Sequence, residues 1–151
     1  MNIKIRNKTF ETNSSSVHSL VINKDGREIS QFKLNKDGKI EVPLMYFGKE
    51  YRIYDTQIEK LSYLLTCCKY LTRGWDEEEL YEDWNFREIE EAIMEYCPGC
   101  TGIQIINFDD GELDHQSIPY GDIEIIGPMY DHEQIIDFVF NKNIALKTDC
   151  D

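Results

Sequence analysis

A change of hydrophobic period at Tyr54 constrains this chain more than any other feature. Before it, apolar residues follow strand spacing: Asn2-Ile-Lys-Ile-Arg6 alternates, Val17–Ile22 is a short apolar run, and "KIEVPLMYF" follows at 39–47. After it, Ile58, Leu61, Leu64, Leu65, Cys68 and Leu71 recur at intervals of three and four, the spacing of a helix face. A chain of 151 residues has room for one domain. Sheet and helix must therefore share a core, which predicts an α+β fold.

Turn chemistry refines the front half. "NKDG" occurs at Asn23–Gly26 and again at Asn35–Gly38. Asp-Gly accepts positive φ at little cost, so each copy predicts a hairpin. With "REISQFKL" as the intervening strand (apolar at Ile29, Phe32 and Leu34), the expectation is an antiparallel N-terminal meander. Pro43 marks an edge or a bulge in its last strand.

Thr56-Gln-Ile-Glu59 is a capping-box pattern opening a helix from Thr56 to about Leu71, ended by Gly74. "WDEEELYEDW" predicts a second helical stretch with acids in its first turn. Asn85-Phe-Arg-Glu88 predicts the cap of a further helix that buries Ile89, Ala92, Ile93 and Tyr96 and stops at Pro98-Gly99. Gly102–Phe108 and Ile123–Ile126 read as strands, with "DDGE" as a turn between them. Asp131-His-Glu-Gln134 caps a helix through Phe140, and "NIALKTDCD" holds a last strand. No linker or low-complexity run divides residues 1–151. The expected architecture is the meander packed against two to three helices, with a mixed strand–helix–strand C-terminal part.

The net charge of −13 is unevenly placed. Met1–Arg73 carries 13 Lys/Arg against 8 Asp/Glu, and Gly74–Asp151 carries 3 against 21. The second half repels a phosphate backbone and attracts basic grooves, so direct nucleic-acid binding is not expected. No apolar run reaches membrane-spanning length, and "MNIKIRNKTF" lacks the apolar stretch of a signal peptide. A cytoplasmic address is the expectation. Five cysteines, an odd number without an export signal, predict reduced thiols.

Several chemistries fail on spacing. Cys97-Pro-Gly-Cys100 follows a predicted helix C-terminus, the wrong end to stabilise a thiolate. Cys67 and Cys68 are adjacent and point about 100° apart on a helix, which prevents joint chelation. "NFDDGELDH" misses the calcium-loop pattern, because Ile106 and Ser117 fall where ligands belong. No phosphate-binding glycine loop or nucleophile elbow is present. No cofactor and no metal are expected.

Two constellations remain. Asp76–Glu95 carries ten acids and one arginine, Arg87, interleaved with Trp75, Tyr81, Trp84, Phe86 and Tyr96. A solvated helix face explains the acids alone. Aromatics among them suit a recognition surface, with Asp76, Glu77, Glu78, Glu79, Tyr81, Glu82, Asp83 and Trp84 as its binding residues. Carboxylates along a helix can also present charge as a phosphate backbone does. Separately, His18 follows Asn13, Ser14, Ser15 and Ser16, and His115 lies beside Asp114 and Ser117. If these loops converge, His18, Asp114 and His115 form an acid–base or metal site, suited to phosphoester hydrolysis, with the serines and Asn13 around an anion. The opposing reading is that two polar loops hydrogen-bond each other to close the domain. His132, beside a helix cap, is expected at the surface.

"FETNSSSVHSLVI", "LDHQS" at Leu113–Ser117 and the tail "DFVFNKNIALKTDCD" resemble a family of small uncharacterised proteins of bacteriophages and Firmicutes genomes. The motifs span nearly the whole chain. At the tail, Cys150 stands where the family pattern has asparagine. The resemblance implies a mobile-element context, with the polar residues of the three segments sharing one site. Two functions follow. The first is an acidic effector that binds and inhibits a basic nucleic-acid-handling host protein, such as a CRISPR effector or the transcription machinery. The alternative is the hydrolase.

Overall fold

Thr56 and Glu59 start a helix by reciprocal capping. Glu59 N donates to Thr56 Oγ1 at 3.2 Å and Thr56 N donates to Glu59 Oε1 at 3.4 Å. This helix, α1, runs Gln57–Leu71 in a computed structural model. The structure describes residues 3–6, 16–23, 26–48, 52–71, 76–113 and 131–150, by backbone alone at 3–6, 16–23, 71 and 147–150. The predicted Gly74 stop and the predicted strand Ile123–Ile126 lie outside the described residues.

The surroundings of α1 differ from a one-faced amphipathic helix. Every residue from Lys60 to Cys68 is buried, so α1 is a central helix whose polar side chains, Ser62 Oγ apart, find partners inside the protein. Thr66 Oγ1 donates to Ser62 O at 2.7 Å. Lys60 Nζ donates to Asn141 O at 2.8 Å and Ile144 O at 3.1 Å. Lys69 Nζ donates to Phe108 O and Gly111 O, both at 2.8 Å. Lys60 and Lys69 are nine residues apart, on roughly opposite sides of α1 at about 100° per residue. Each ties down a different loop.

Three further helices follow α1, and the last two pack against it. They are α2 (Glu77–Glu82), α3 (Trp84–Tyr96) and α4 (His132–Phe140). The predicted cap at Asn85 moves two residues earlier: Asp83 Oδ2 accepts from Asn85 N and Phe86 N. Asp76 and Asp131 cap α2 and α4. Helix α3 buries Phe86, Ile89, Ala92 and Ile93, and Tyr96 stacks on Phe140 at 4.2 Å. Helix α4 buries Ile135, Ile136, Phe138, Val139 and Phe140.

The α+β class is as expected, but the strand pairing is not a meander. Strands β1 (Ile3–Arg6), β2 (Ser16–Asn23), β5 (Arg52–Tyr54) and β8 (Ala145–Cys150) form one antiparallel sheet in the order β1-β2-β8-β5. Strand β3 (Lys39–Val42) pairs in parallel with β6 (Gly102–Ile105), and β4 (Tyr46–Phe47) with β7 (Glu112–Leu113). Parallel neighbours require a long crossover, which α1, α2 and α3 supply. The second "NKDG" does turn: Asn35 Oδ1 accepts from Asp37 N and Lys39 N, and Gly38 has φ 78°. Beyond the turn only a single bridge, Leu34 to Ile40, forms.

"REISQFKL" fails as a strand because helices claim its main chain. Gln57 Nε2 donates to Ile29 O and Gln57 Oε1 accepts from Gln31 N. Tyr96 Oη donates to Glu28 O, and Glu28 N donates to Phe140 O. Ile29 is left 84% exposed, while Phe32 packs against the core. Pro43 splits the predicted "KIEVPLMYF" strand into β3 and β4, since proline lacks the N–H a ladder uses. Asn107 bridges the gap: its Oδ1 accepts from Leu44 N at 2.6 Å and its Nδ2 donates to Leu44 O at 3.1 Å.

Burial lowers the Lys60 pKa from 10.5 to about 8, against weaker opposing pulls from Asp55 and Glu28. The folded protein therefore releases this proton at lower pH than the unfolded chain does. Lys60 should add stability as pH rises from about 8 to 10.5. Burial holds the Cys67, Cys68 and Cys97 thiols above their usual values, and these act in the opposite sense. The informative quantity is thus the stability of wild type minus that of Lys60→Met, from denaturant titrations at several pH values. It should grow by up to about 3 kcal/mol across that window. A flat difference contradicts the assignment.

Candidate interaction site

The acidic segment is fastened to the free edge of β6. That strand pairs with β3 on one side, leaving outward N–H groups in need of acceptors. Ile103 N donates to Glu90 Oε2 at 3.0 Å and Ile105 N donates to Tyr81 Oη at 2.7 Å. Helices α2 and α3 therefore satisfy the strand edge with their own side chains. Gly102 sits so close that an added Cβ would lie 3.1 Å from Glu90 Oε2.

This docking sorts the acids by role. Asp76, Asp83 and Glu90 are engaged by main-chain N–H groups. Glu78, Glu79 and Glu82 are exposed along α2, and Trp84 beside them is 55% exposed. Tyr81 belongs with the structural group. Besides accepting from Ile105, its hydroxyl meets Glu77 Oε1 at 3.3 Å, and its ring meets Phe86 edge-on at 5.0 Å. The reading of Tyr81 as an open anchor gives way to that of an inward tie.

Where α2 begins, an open groove of about 500 Å³ runs to the loop after β6. Asp76, Glu77, Asp109 and Asp110 bring four carboxylates to it, and Ile106 and Phe108 supply apolar surface. Lys69 fixes the loop side: it donates to the two loop carbonyls and lies 4.4 Å above the Phe108 ring. Gly111 is needed for the loop's path, because an added Cβ would lie 2.7 Å from Leu44.

A second acidic grouping lies on α3. His132, at the start of α4, is half-buried rather than free at the surface. Its Nδ1 lies 3.2 Å from both oxygens of Glu95, and its Nε2 lies 3.0 Å from Glu88 Oε2 and 4.0 Å from Glu91 Oε2. Burial alone would lower the His132 pKa; Glu95 and Glu88 outweigh it and hold the value above normal. Glu88, Glu91 and His132 are the residues, among those described, whose ligand atoms converge as a metal would require. The spacing of Glu88, Glu91 and Glu95 along one helix face was visible in the sequence, whereas the arrival of His132 was not.

The four cysteines whose side chains are described take buried positions. Cys97-Pro98-Gly99-Cys100 is a turn closed by Cys100 N donating to Cys97 O at 3.2 Å, with Gly99 at φ 80°. Both thiols are buried, and so are those of Cys67 and Cys68. Burial pushes the Cys67 thiol up to about 12, which disfavours the nucleophilic thiolate. Asn13, Ser14, Ser15, Asp114, His115 and Ser117 lie outside the described residues. Ser16 and His18 occupy β2, opposite Cys150 and Thr148 of β8.

No protein-family model, curated protein or solved structure matches the chain with significance. Among the described residues, no helix is long and apolar enough to cross a membrane.

The two roles of the acidic segment separate by mutation. Tyr81→Phe removes the acceptor for Ile105 N and should cost about 1–3 kcal/mol in chemical denaturation. Glu78→Lys with Glu82→Lys alters only exposed charge and should shift stability by about 0.5 kcal/mol or less per site. Equal losses in the two variants would show that the segment has no such division.

Proposed function

We propose that this protein is an acidic interaction module that docks on a basic, nucleic-acid-handling partner protein and competes there with phosphate backbone. The observation that carries the proposal is the groove between α2 and the loop after β6. Four carboxylates surround apolar surface from Ile106 and Phe108. A lysine or arginine side chain is amphipathic in the same way, with an apolar stem and a charged head. The exposed acids Glu78, Glu79 and Glu82 and the exposed Trp84 continue the surface. They extend the negative field that would steer a basic partner.

The wider setting, a mobile-element effector inhibiting a host defence or transcription protein, draws its support from the N-terminal motif and the tail. It remains part of the same proposal. The hydrolase alternative gains no support from the described residues.

Competition tests the proposal directly. The full chain, immobilised through a tag, is exposed to bacterial extract and then washed with duplex DNA or with rising salt. Partners held by this face should be displaced by both. They should be absent from the start when Glu78, Glu79 and Glu82 are changed together to lysine. Partners that resist DNA and salt, and that persist on the charge-reversed variant, would contradict charge mimicry.

A further inference from the structure

We propose that Glu88, Glu91 and His132 form a binding site for a divalent transition-metal ion, with Glu95 as the residue that positions the imidazole. The proposal stands independently of the docking groove.

The donor set comes from two elements. Glu88 and Glu91 are one helical turn apart on α3, so their carboxylates share a face. His132 enters from the first residue of α4. Its Nε2 lies between them, 3.0 Å from Glu88 Oε2 and 4.0 Å from Glu91 Oε2, and all three ligand atoms fall within 4.8 Å of one another. With metal–ligand bonds of about 2.0–2.2 Å, tetrahedral ligand atoms lie about 3.3–3.6 Å apart. The two separations at His132 Nε2 bracket that range and the Glu88–Glu91 pair lies within 4.8 Å, so side-chain rearrangement without backbone movement completes the geometry.

The contact that lifts this above a patch of acids is the one on the far side of the ring. Glu95 embraces Nδ1 with both oxygens at 3.2 Å. Without a metal, Nε2 carries a proton that Glu88 accepts at 3.0 Å. An incoming metal ion displaces that proton to solvent, and Glu95, holding Nδ1–H, then keeps the tautomer whose Nε2 lone pair faces Glu88 and Glu91. Metal-bound histidines are oriented by such a carboxylate. One imidazole with two carboxylates favours zinc or manganese over magnesium or calcium, which prefer all-oxygen shells. Three protein ligands leave a fourth position for water. A bound ion would offset the crowded carboxylates and tie α3 to α4.

The test uses the full chain after chelator treatment and dialysis, near neutral pH, with zinc titrated by calorimetry and cobalt(II) read by absorption. One equivalent should bind. Cobalt should show d–d bands without thiolate-to-metal charge transfer, which separates this site from the cysteines. Glu88→Gln, Glu91→Gln and His132→Asn should each weaken binding at least tenfold. Glu95→Gln, which keeps an oxygen for Nδ1–H, should weaken it less. Circular dichroism melts identify any variant that fails to fold. For a folded set, absence of zinc binding, binding unchanged by His132→Asn, or a charge-transfer band would each overturn the proposal.

Discussion

Helix α1 is buried almost all round, and its two lysines act as main-chain caps on opposite sides. Lys60 gathers the carbonyls of Asn141 and Ile144, where the chain leaves α4 and enters β8. Lys69 gathers those of Phe108 and Gly111, in the loop that carries Asp109 and Asp110. Asn141 O and Phe108 O each also accept a turn N–H, from Ile144 and Gly111. The lysines add a donor to these and reach Ile144 O and Gly111 O as well, and a carbonyl left unmet inside the protein costs about 1–3 kcal/mol. The same helix thus closes the C-terminal strand into its sheet and shapes one wall of the acidic groove. Its apolar residues do the ordinary work of the core, with Phe47, Tyr54, Tyr63 and Phe138 forming a chain of ring contacts beside it.

Local signals in the sequence were read well and non-local ones poorly. The capping box at Thr56, the turn at Asn35–Gly38 and the Pro98-Gly99 stop each depend on residues within a few positions, and each has its counterpart in the structure. Strand partners are another matter. Strand β2 lies between β1 and β8, and β8 is more than a hundred residues further along the chain. The hairpin reading of Asp-Gly at 35–38 found the antiparallel bridge from Leu34 to Ile40 of β3 but not its ladder partner β6, because a parallel partner can arrive after any crossover. "REISQFKL" was lost as a strand to Gln57 and Tyr96, whose reach cannot be seen in the segment itself.

The same division holds at the surface. Composition alone located the acidic stretch; that Glu88, Glu91 and Glu95 share one face follows once α3 is formed. Composition could not say that Glu90 and Tyr81 are taken up by the edge of β6, or that Glu77 shares a groove with Asp109 and Asp110. Those roles follow from β6 having one strand partner, and so from the same crossover topology that the turns did not disclose. His132 belongs to this class as well: its carboxylates lie 37 and 44 residues earlier in the chain.

If α1 is held as described, the Lys60 ammonium is a buried donor with two main-chain acceptors and a proton it releases early. Nitrogen-15 NMR of the Lys60 side chain across a pH titration reads that proton directly. The account predicts a transition near pH 8, with the side-chain signal protected from solvent exchange below it. A transition at the ordinary lysine value, with rapid solvent exchange, would place Lys60 in water and remove the central cap on which this description of the fold rests.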